Sequence, residues 1–432
     1  MAVRVRGGAA VKALLVTHGT RGDVQPMLAL AVGLREAGHE VVLAAPESFA
    51  SSAAEHDVEF AALDEGPNRL MDDPVVKAAV DGGYRGLKGK LAAVRTARRI
   101  KPLMARVLRD VGETARRSGA DVVVHTPTLP AQHAAEMLDV PAVLVALQPG
   151  WVPTSAHPCP MVPLPRLPRF LNRATYLTVS ATLRAYSGVV NDWRADGLGL
   201  PRRRRVHDLL HDAAGRNRVV LHAFSPQIAQ TAPDWPESVH TTGFWPLRSG
   251  SWAPSGRLAE FLGGGPAPVY VGFGSMAGRQ AERTGRIVAD AVRDAGVRAV
   301  LATGWGGIAS VSSPDVLVID QAPHDRLFPL MAAVVHHGGA GTTAAALAAG
   351  RPQVVCPFVA DQPYWARRAH AIGVAPVPVR QQDLTATALA RAVTAAVGDP
   401  ALSSRAEQVG REIRAERGVA RAVAVIEEAA AQ

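Results

Sequence analysis

The sequence is poor in cysteine and has no long apolar run. Its 432 residues include only Cys159 and Cys356, which are too far apart in sequence to form a CxxC motif. Neither a disulfide framework nor a structural zinc site is therefore indicated. The apolar run at 13–17 is too short for a signal sequence or a membrane span. We therefore expect a cytoplasmic protein.

Several motifs that mark other enzyme classes are missing. The sequence has no GxxxxGK[ST], HExxH, GxSxG or DxD pattern, which argues against P-loop kinases, zinc proteases, serine hydrolases and metal-dependent transferases. GxGxxG is missing after the first apolar strand, so a Rossmann-type NAD(P) oxidoreductase is kept only as an alternative from a different class. We expect neither a bound metal nor a resident cofactor.

The positive charge is unevenly distributed. The formal net charge is +9, and 42 of the 47 basic residues are arginine. Residues 85–117 hold 11 basic and 2 acidic residues, and residues 166–205, which include Arg202 to Arg205, hold 9 and 2. No nucleic-acid-binding motif accompanies this charge. It favours either a solvated arginine surface or a peripheral contact with an anionic membrane.

Strands and helices alternate in both halves of the chain. An apolar strand at 12–17, a turn at 19–26, a helix at 27–37 and a strand at 40–45 predict a βαβ unit. The second half repeats this plan from Pro268 onward. Short glycine-rich connections between such units predict the α/β class with doubly wound parallel sheets. The expected organisation is a first domain at 1–228, a linker at 229–255, a second domain at 256–410, and a C-terminal helix at 411–432 that packs between the domains.

A glycine turn at 335–343 is the most informative segment. It leads from a predicted strand directly into a predicted helix, where free backbone N–H groups and the helix dipole favour a phosphate. His336 is expected to be a packed histidine, and a glycine turn that serves only strand-to-helix packing is the alternative. The candidate ligands of a phosphate in this turn are His337, Gly339, Gly341, Thr342 and Thr343.

Other strand ends in the second half carry further polar candidates. Ser275 follows a predicted strand and could donate to the same anion. Trp305 lies on a glycine-flanked loop and could pack against a base or an acceptor. Asp361 and Gln362 together offer an acceptor and a donor for vicinal sugar hydroxyls, although Asp361 could equally cap the helix that begins near Pro363.

The N-terminal turn carries a carboxylate where a pyrophosphate would be repelled. Asp23 suits a general base that faces a neutral hydroxyl, and the alternative is an aspartate that caps the following helix. Thr20, in the same turn, is a candidate for the acceptor site. Trp151 and Pro153 begin a proline-rich loop that we expect to line an apolar acceptor pocket.

These motifs, in this order and at these separations, resemble those of the GT-B fold glycosyltransferases of family 1. The similarity is greatest to the bacterial and fungal branch that includes sterol glucosyltransferases and the glycopeptide and macrolide glycosyltransferases. The resemblance covers nearly the whole chain. It implies two Rossmann-like domains that face each other across a cleft, with the acceptor site in the first and the nucleotide-sugar site in the second.

The resemblance also implies roles for individual residues. Asp23 matches the base at a position where plant members have histidine. Ala322 follows Gln321 in a Gln-Ala-Pro-His segment where plant members have Trp-Ala-Pro-Gln. This match implies that the backbone of Ala322 recognises the nucleobase of the donor. Ala345 stands where plant members bind ribose with a glutamate, so ribose recognition is unassigned. The remaining matches are His337, Gly339, Thr342 and Thr343 with the diphosphate ligands, Ser275 with a nearby hydroxyl, and Asp361 and Gln362 with the sugar-contacting pair.

The implied reaction is an inverting, metal-independent transfer of a hexose from a UDP- or TDP-sugar. The match of the Asp361–Gln362 pair implies that this hexose is glucose. The acceptor is a hydroxyl of a lipophilic small molecule such as a sterol, macrolide, polyketide or phenol, and the product is a β-glycoside. The nucleotide sugar is a co-substrate rather than a cofactor. A TDP-deoxysugar transferase of antibiotic biosynthesis is the alternative within the family.

Overall fold

The computed structural model describes residues 10–73, 76, 86–162, 167–229, 231–273, 281–303 and 313–431. The chain divides into two compact units. The first comprises Met1–Phe224, Thr231–Leu247 and Arg417–Gln432, and the second comprises Ser225–Gln230 and Arg248–Glu416. Within the part of the chain that the structure describes, no helix combines the length and the apolar character that a membrane span requires.

The first unit is built on a parallel sheet with the strand order β3-β2-β1-β4-β5-β6-β7. Its strands are β1 (Lys12–Val16), β2 (Glu40–Pro46), β3 (Glu59–Leu63), β4 (Val122–His125), β5 (Ala142–Ala146), β6 (Val219–His222) and β7 (Val239–Thr241). Its helices before the crossover to the second unit are α1 (Arg21–Glu36), α2 (Ala50–Ala54), α3 (Gly66–Asp72), α4 (Gly86–Ser118), α5 (Gln132–Leu138), α6 (Arg169–Thr175), α7 (Leu177–Arg184) and α8 (Ser187–Asp192). Central strands are apolar where they are buried, β1 after Lys12 and β5 along its whole length, because helices cover both faces of the sheet.

The second unit is built on a parallel sheet with the order β10-β9-β8-β11-β12. Its strands are β8 (Val269–Gly272), β9 (Ala299–Ala302), β10 (Val316–Ile319), β11 (Val334–His336) and β12 (Gln353–Val355). Its helices are α9 (Gly256–Gly263), α10 (Ala281–Ala295), α11 (His324–Leu327), α12 (Ala340–Ala348), α13 (Gln362–Ala371), α14 (Ala386–Gly398) and α15 (Pro400–Ala415). Two doubly wound parallel sheets were predicted, and this prediction is confirmed.

The C-terminal helix α16 (Gly418–Ala430) returns to the first unit and packs on α1. Its apolar face, with Ala422, Val423 and Ile426, joins the core beneath the sheet. Gly33 of α1 permits this contact, because a Cβ at that position would overlap the Val419 side chain. The C-terminal helix therefore lies in close contact with α1.

The first helix begins earlier than the sequence predicts. Gly22 and Pro26 favour a turn, yet α1 starts at Arg21 and includes both residues. The reason is a capping box. The Thr20 side chain accepts from the Asp23 backbone N–H, and the Asp23 carboxylate accepts from the Thr20 backbone N–H. The carboxylate is thus placed at the third helical position rather than at the N-cap.

In both sheets the strand order reverses at one point, between β1 and β4 in the first and between β8 and β11 in the second. The carboxyl ends of the strands on either side of such a point diverge into opposite helical layers, which leaves a crevice that binds ligands in open α/β sheets. The Asp23 turn follows β1. Residues 337–339 of the glycine turn follow β11. The topology therefore places both candidate turns at positions suited to ligand binding.

Candidate functional site

In the first unit, the Asp23 carboxylate is held by Thr20. Its Oδ2 accepts hydrogen bonds from the Thr20 backbone N–H at 2.8 Å and from the Thr20 Oγ1–H at 3.1 Å. Gly19 has φ +138°, and a Cβ there would overlap the same carboxylate oxygen. Asn68 fixes the turn from outside by donating to the Gly19 carbonyl oxygen at 2.8 Å. The turn therefore fixes the orientation of a half-buried carboxylate at the end of β1.

His18, which the sequence predicts only to fill space behind this turn, makes a hydrogen bond with a neighbouring segment. The His18 Nε2 lies 2.9 Å from the carbonyl oxygen of Asp64, the residue that directly follows β3. Desolvation lowers the pKa of His18, so the buried ring is neutral near pH 7. The Asp64 carboxylate pairs with the Arg106 Nε at 2.8 Å. An aspartate immediately after a strand is the signal that could have identified this group, but β3 itself was not predicted.

The predicted acceptor loop is held by a carboxylate from another segment. Trp151 and Pro153 are half-buried, and Trp151 packs against an apolar cluster that includes Leu209. Asp234 accepts hydrogen bonds from the Thr154 hydroxyl, from the Ser155 N–H at 2.8 Å and from the Ser155 hydroxyl at 3.0 Å. Desolvation opposes ionisation of this carboxyl, but these hydrogen bonds outweigh it and lower the pKa of Asp234 to about 2. The sequence predicted the loop but not the residue that holds it.

In the second unit, the glycine turn leads into α12 as predicted. Gly339 is the N-cap, and no side chain of the described residues caps this end. The N–H groups of Ala340, Gly341 and Thr342 therefore lack partners within the helix. Gly338 has φ +89°, and a Cβ at Gly339 would lie 2.6 Å from the His337 Nε2. The histidine ring thus packs directly on the glycine that begins the helix.

Two buried polar atoms of this turn have no hydrogen-bond partner among the described residues. They are the His337 Nδ1 and the Thr343 Oγ1. Desolvation lowers the pKa of His337 to about 4, so its ring is neutral near pH 7 and carries one N–H. A buried polar atom without a partner costs free energy, and a bound ligand can supply the partner. His336, by contrast, is a packed histidine that contacts Gln353 Oε1 at 2.9 Å and accepts from the Gly338 N–H at 3.1 Å.

The Asp361–Gln362 pair lies against the glycine turn. A Cβ at Gly338 would lie 3.2 Å from the Gln362 carbonyl oxygen. The side-chain Oε1 of Gln362 accepts from the backbone N–H groups of Phe358 at 2.8 Å and Val359 at 3.1 Å. The side-chain oxygen of Gln362 therefore already has partners within the loop. Asp361 occupies the N-cap position of α13, and its Oδ2 accepts from the Trp365 Nε1 at 2.8 Å. Desolvation raises the pKa of Asp361.

The remaining candidates of the second unit lie elsewhere or outside the described residues. Gln321 is exposed and Ala322 half-buried, and both follow β10 at the far edge of the sheet from β12. His324, two residues on, stacks on Phe328 with ring centroids 4.3 Å apart. Ser275 and Trp305 lie outside the described residues. The described site therefore comprises the glycine turn and the Asp361–Gln362 pair. The segment predicted to bind the nucleobase, Gln321 and Ala322, follows the strand at the opposite edge of the sheet.

Comparison with known proteins identifies both halves of the chain. Residues 13–153 match the glycosyltransferase family 28 N-terminal domain, and residues 291–428 match the C-terminal domain of erythromycin biosynthesis protein CIII-like proteins. The chain is 35% identical to the O-mycaminosyltylonolide 6-deoxyallosyltransferase of Streptomyces fradiae, over 96% of each chain. It is 34% identical to a sterol 3-beta-glucosyltransferase of Emericella nidulans, over 96% of this chain, but spans only 30% of that protein.

Solved structures show the same fold at lower sequence identity. The calicheamicin glycosyltransferase CalG4 superimposes with a TM-score of 0.72 at 20% identity, over 98% of this chain and 99% of the other. The glycosyltransferase VinC in complex with DTDP superimposes with a TM-score of 0.63 at 19% identity, over 97% and 99%. With both domain models matched and a relative aligned over nearly its whole length, the chain belongs to the GT-B glycosyltransferase family that includes the sterol and macrolide glycosyltransferases.

Proposed function

We propose that this protein is an inverting, metal-independent hexosyltransferase. It transfers a hexose, glucose in the first instance, from a UDP- or TDP-sugar to a hydroxyl of a lipophilic small molecule and forms a β-glycoside. The observation that carries the proposal is the glycine turn at the strand reversal of the second sheet, where uncapped helix N–H groups lie beside a buried, neutral His337. This is the donor arrangement that a departing diphosphate requires.

The chemistry divides between the two units. In the first, the Asp23 carboxylate accepts the proton of the acceptor hydroxyl as that oxygen forms a bond to the anomeric carbon. The bond between the anomeric carbon and the diphosphate oxygen breaks in the same step, and the electron pair leaves with the diphosphate. In the second unit, the N–H groups at 340–342 and the ring of His337 stabilise the charge that develops on that leaving group. Attack from the face opposite an α-linked diphosphate gives the β-product.

The acceptor class is supported by the relatives and by the acceptor loop. One relative is named for a sterol and another for a macrolide intermediate, and both are lipophilic polycyclic or macrocyclic alcohols. Trp151 and the apolar cluster at Leu209 supply aromatic and aliphatic surface in the first unit. Because such acceptors partition into lipid, the proposal includes a peripheral contact with an anionic membrane.

A second candidate within the same chemistry is transfer of a TDP-deoxysugar. The relative aligned over 96% of its own length is a 6-deoxyallosyltransferase, and a structural neighbour is named as a complex with DTDP. A 6-deoxysugar lacks the hydroxyl at carbon 6, so it can make one hydrogen-bonded contact fewer. This candidate is distinguished from glucose transfer by comparing turnover with a TDP-6-deoxysugar and with a glucose donor, before and after substitution of Asp361 or Gln362.

The test is a transfer assay with a defined product. The protein is incubated with UDP-glucose or TDP-glucose and a panel of sterols, macrolides and flavonoids, and the hexose adduct is detected by mass. We expect an adduct with the β-configuration, formed equally well in the presence of EDTA. His240→Ala, which alters a half-buried histidine of the first unit outside the site, is the control variant. The absence of adduct for every pair, with NADPH oxidation in its place, would favour the oxidoreductase alternative.

A further inference from the structure

The helices α6 and α7 expose an unusual amount of apolar surface. Phe170 is 80% exposed, Leu177 66% and Leu171 41%. The two helices are nearly continuous, because the Tyr176 N–H bonds to the Arg173 carbonyl oxygen and the Ser180 N–H bonds to that of Tyr176. Burial of side chains of this size stabilises a protein by about 1.5–3 kcal/mol each, so their exposure in one short segment requires an explanation.

The apolar residues share one side of this segment. Phe170, Ala174, Leu177 and Ala181 recur at intervals of three and four residues and are all exposed. The opposite side is anchored to the unit, since the Tyr176 hydroxyl lies 3.1 Å from the His157 Nδ1 and Asn172 donates to the Ser155 carbonyl oxygen at 2.9 Å. The exposed side is therefore presented by a fixed helix. We call the side formed by Phe170, Ala174, Leu177 and Ala181 the α6–α7 face.

Basic residues predominate on the segment that carries the α6–α7 face. Residues 160–191 contain four arginines and no acidic residue. Arg169 and Arg184 are exposed, and Arg173 is 59% exposed although its Nη1 lies 3.4 Å from Asp234. An amphipathic helix with exposed arginines beside large apolar side chains has the composition of a segment that lies in the plane of a membrane interface.

Two residues of the arginine run at 202–205 add positive charge near α7, and the other two are in ion pairs. Desolvation lowers the pKa of His207, and the charges of Arg184 and Arg205 lower it further, so the end of α7 lies near this run. Arg202 pairs with Asp192 at 2.8 Å and Arg203 with Glu136 at 3.5 Å. Arg204 and Arg205 are exposed and make no ion pair with other described residues. The exposed arginines of these segments that make no ion pair with other described residues are Arg169, Arg184, Arg204 and Arg205.

We propose that the α6–α7 face docks on the surface of an anionic lipid bilayer, with Phe170 and Leu177 inserted among the acyl chains and the four arginines at the headgroups. The proposal rests on the proposed function, because a lipophilic acceptor dissolved in the bilayer is what gives the contact a purpose. A second copy of the chain would meet the same positive charge on its own face, so charge complementarity favours a lipid surface of negative charge.

The test measures binding to vesicles without donor or acceptor, so its result does not depend on transferase activity. Vesicles of phosphatidylcholine alone and with 30% phosphatidylglycerol are sedimented with the protein at low and high salt. We expect binding to the anionic vesicles only, weakened by salt, and weakened about fivefold by each of Arg169→Gln and Arg184→Gln. Phe170→Ala should reduce binding at least as much. Val377→Ala, which removes a 69% exposed side chain of the second unit, is the matched control and should bind like the wild type.

A label reports insertion directly. Both native cysteines are buried, so an environment-sensitive fluorophore can be attached at Phe170→Cys or at Val377→Cys. The proposal requires a blue shift on addition of anionic vesicles at the first position and none at the second. It is overturned if neither label shifts, if the two shift equally, or if Phe170→Ala instead abolishes a dimer seen by size-exclusion chromatography. A protein that docks but transfers no sugar would refute the proposed function and leave the docking surface intact.

Discussion

The backbone N–H and the hydroxyl of Thr20 both donate to the same carboxylate oxygen of Asp23. The same pair of residues starts helix α1. The arrangement that nucleates the helix is thus also the arrangement that orients the proposed base. Asp23 therefore has a structural role in addition to its proposed role as the base, and the two can be separated only by a substitution that spares one of them.

Replacement of Thr20 separates the two roles. Thr20→Val keeps the backbone N–H and the branched side chain but removes the hydroxyl donor. Hydrogen bonds to charged groups contribute roughly 1.5–3 kcal/mol, so we expect kcat to fall about tenfold while the KM for the nucleotide sugar is unchanged. The measurement is steady-state kinetics with the thermal midpoint recorded in parallel. Thr20→Ser retains the hydroxyl and should keep near-normal turnover; equal losses in the two variants would contradict a positioning role.

The contact between His337 and Gly339 gives a second prediction. His337→Ala removes one preorganised donor to the leaving group, which we expect to cost roughly 10²-fold in kcat at saturating donor. Gly339→Ala should reduce turnover by a related route, because the added Cβ would lie 2.6 Å from the His337 Nε2 and displace the ring. Both variants are measured against His240→Ala. Near-full turnover in His337→Ala would remove the histidine from the mechanism.

The sequence predicted the parts of the site that depend on strand ends. Strands with apolar runs, such as β1 and β2, were predicted correctly, and so was the entry of the glycine turn into α12. The strands β3, β6, β7 and β10, each of three to five residues, were not predicted. β3 and β7 are half-exposed, and the apolar runs of β6 and β10 are too short to be assigned from periodicity alone. The sequence does not predict the early start of α1, because Gly22 and Pro26 favour a turn while the capping box of Thr20 and Asp23 forms only in the folded chain.

The supporting contacts of the site could not be predicted from sequence. Asp64 reaches His18 from 46 residues away, and Asp234 holds the acceptor loop from about 80 residues away. Such partners are set by how the elements pack and leave no periodic signal. The packing role of Gln362, whose carbonyl oxygen accepts two backbone hydrogen bonds, is likewise visible only in the folded loop.

A buried ion network in the first unit predicts a large effect on stability away from the chemistry. Arg194 is fully buried in the π-helical turn Trp193–Gly197 and donates to both oxygens of Glu136, at 2.7 and 3.0 Å. Arg194→Met should lower the free energy of unfolding by about 1.5–3 kcal/mol, because it removes the two-point contact with Glu136 and leaves that carboxylate only His133 and Arg203, each 3.5 Å away. Arg202→Met removes a pair of similar length that is exposed and should cost under about 1 kcal/mol. Urea unfolding followed by circular dichroism measures both; similar costs would contradict the assignment.

The buried histidines predict that the protein loses stability as the pH falls below 6.5. Desolvation lowers the pKa of His125 and His337 to about 4 and that of His222 and His336 to about 3, against 6.5 in the unfolded chain. The unfolded state therefore binds more protons between pH 6.5 and about 4. Each such histidine lowers the free energy of unfolding by about 1.4 kcal/mol per pH unit across that range.

This loss is measured as the difference between the thermal midpoints at pH 7.5 and pH 5.0, where we expect the lower midpoint at pH 5.0. Carboxyls with a depressed pKa do not explain the effect, because a group such as Asp234, whose pKa is about 2, loses its contribution only below about pH 4. His125→Gln removes one buried histidine and should make the dependence shallower. A midpoint that is unchanged or higher at pH 5.0 would mean that these histidines are hydrated in solution, and the lowered pKa assigned to His337 would have to be abandoned with them.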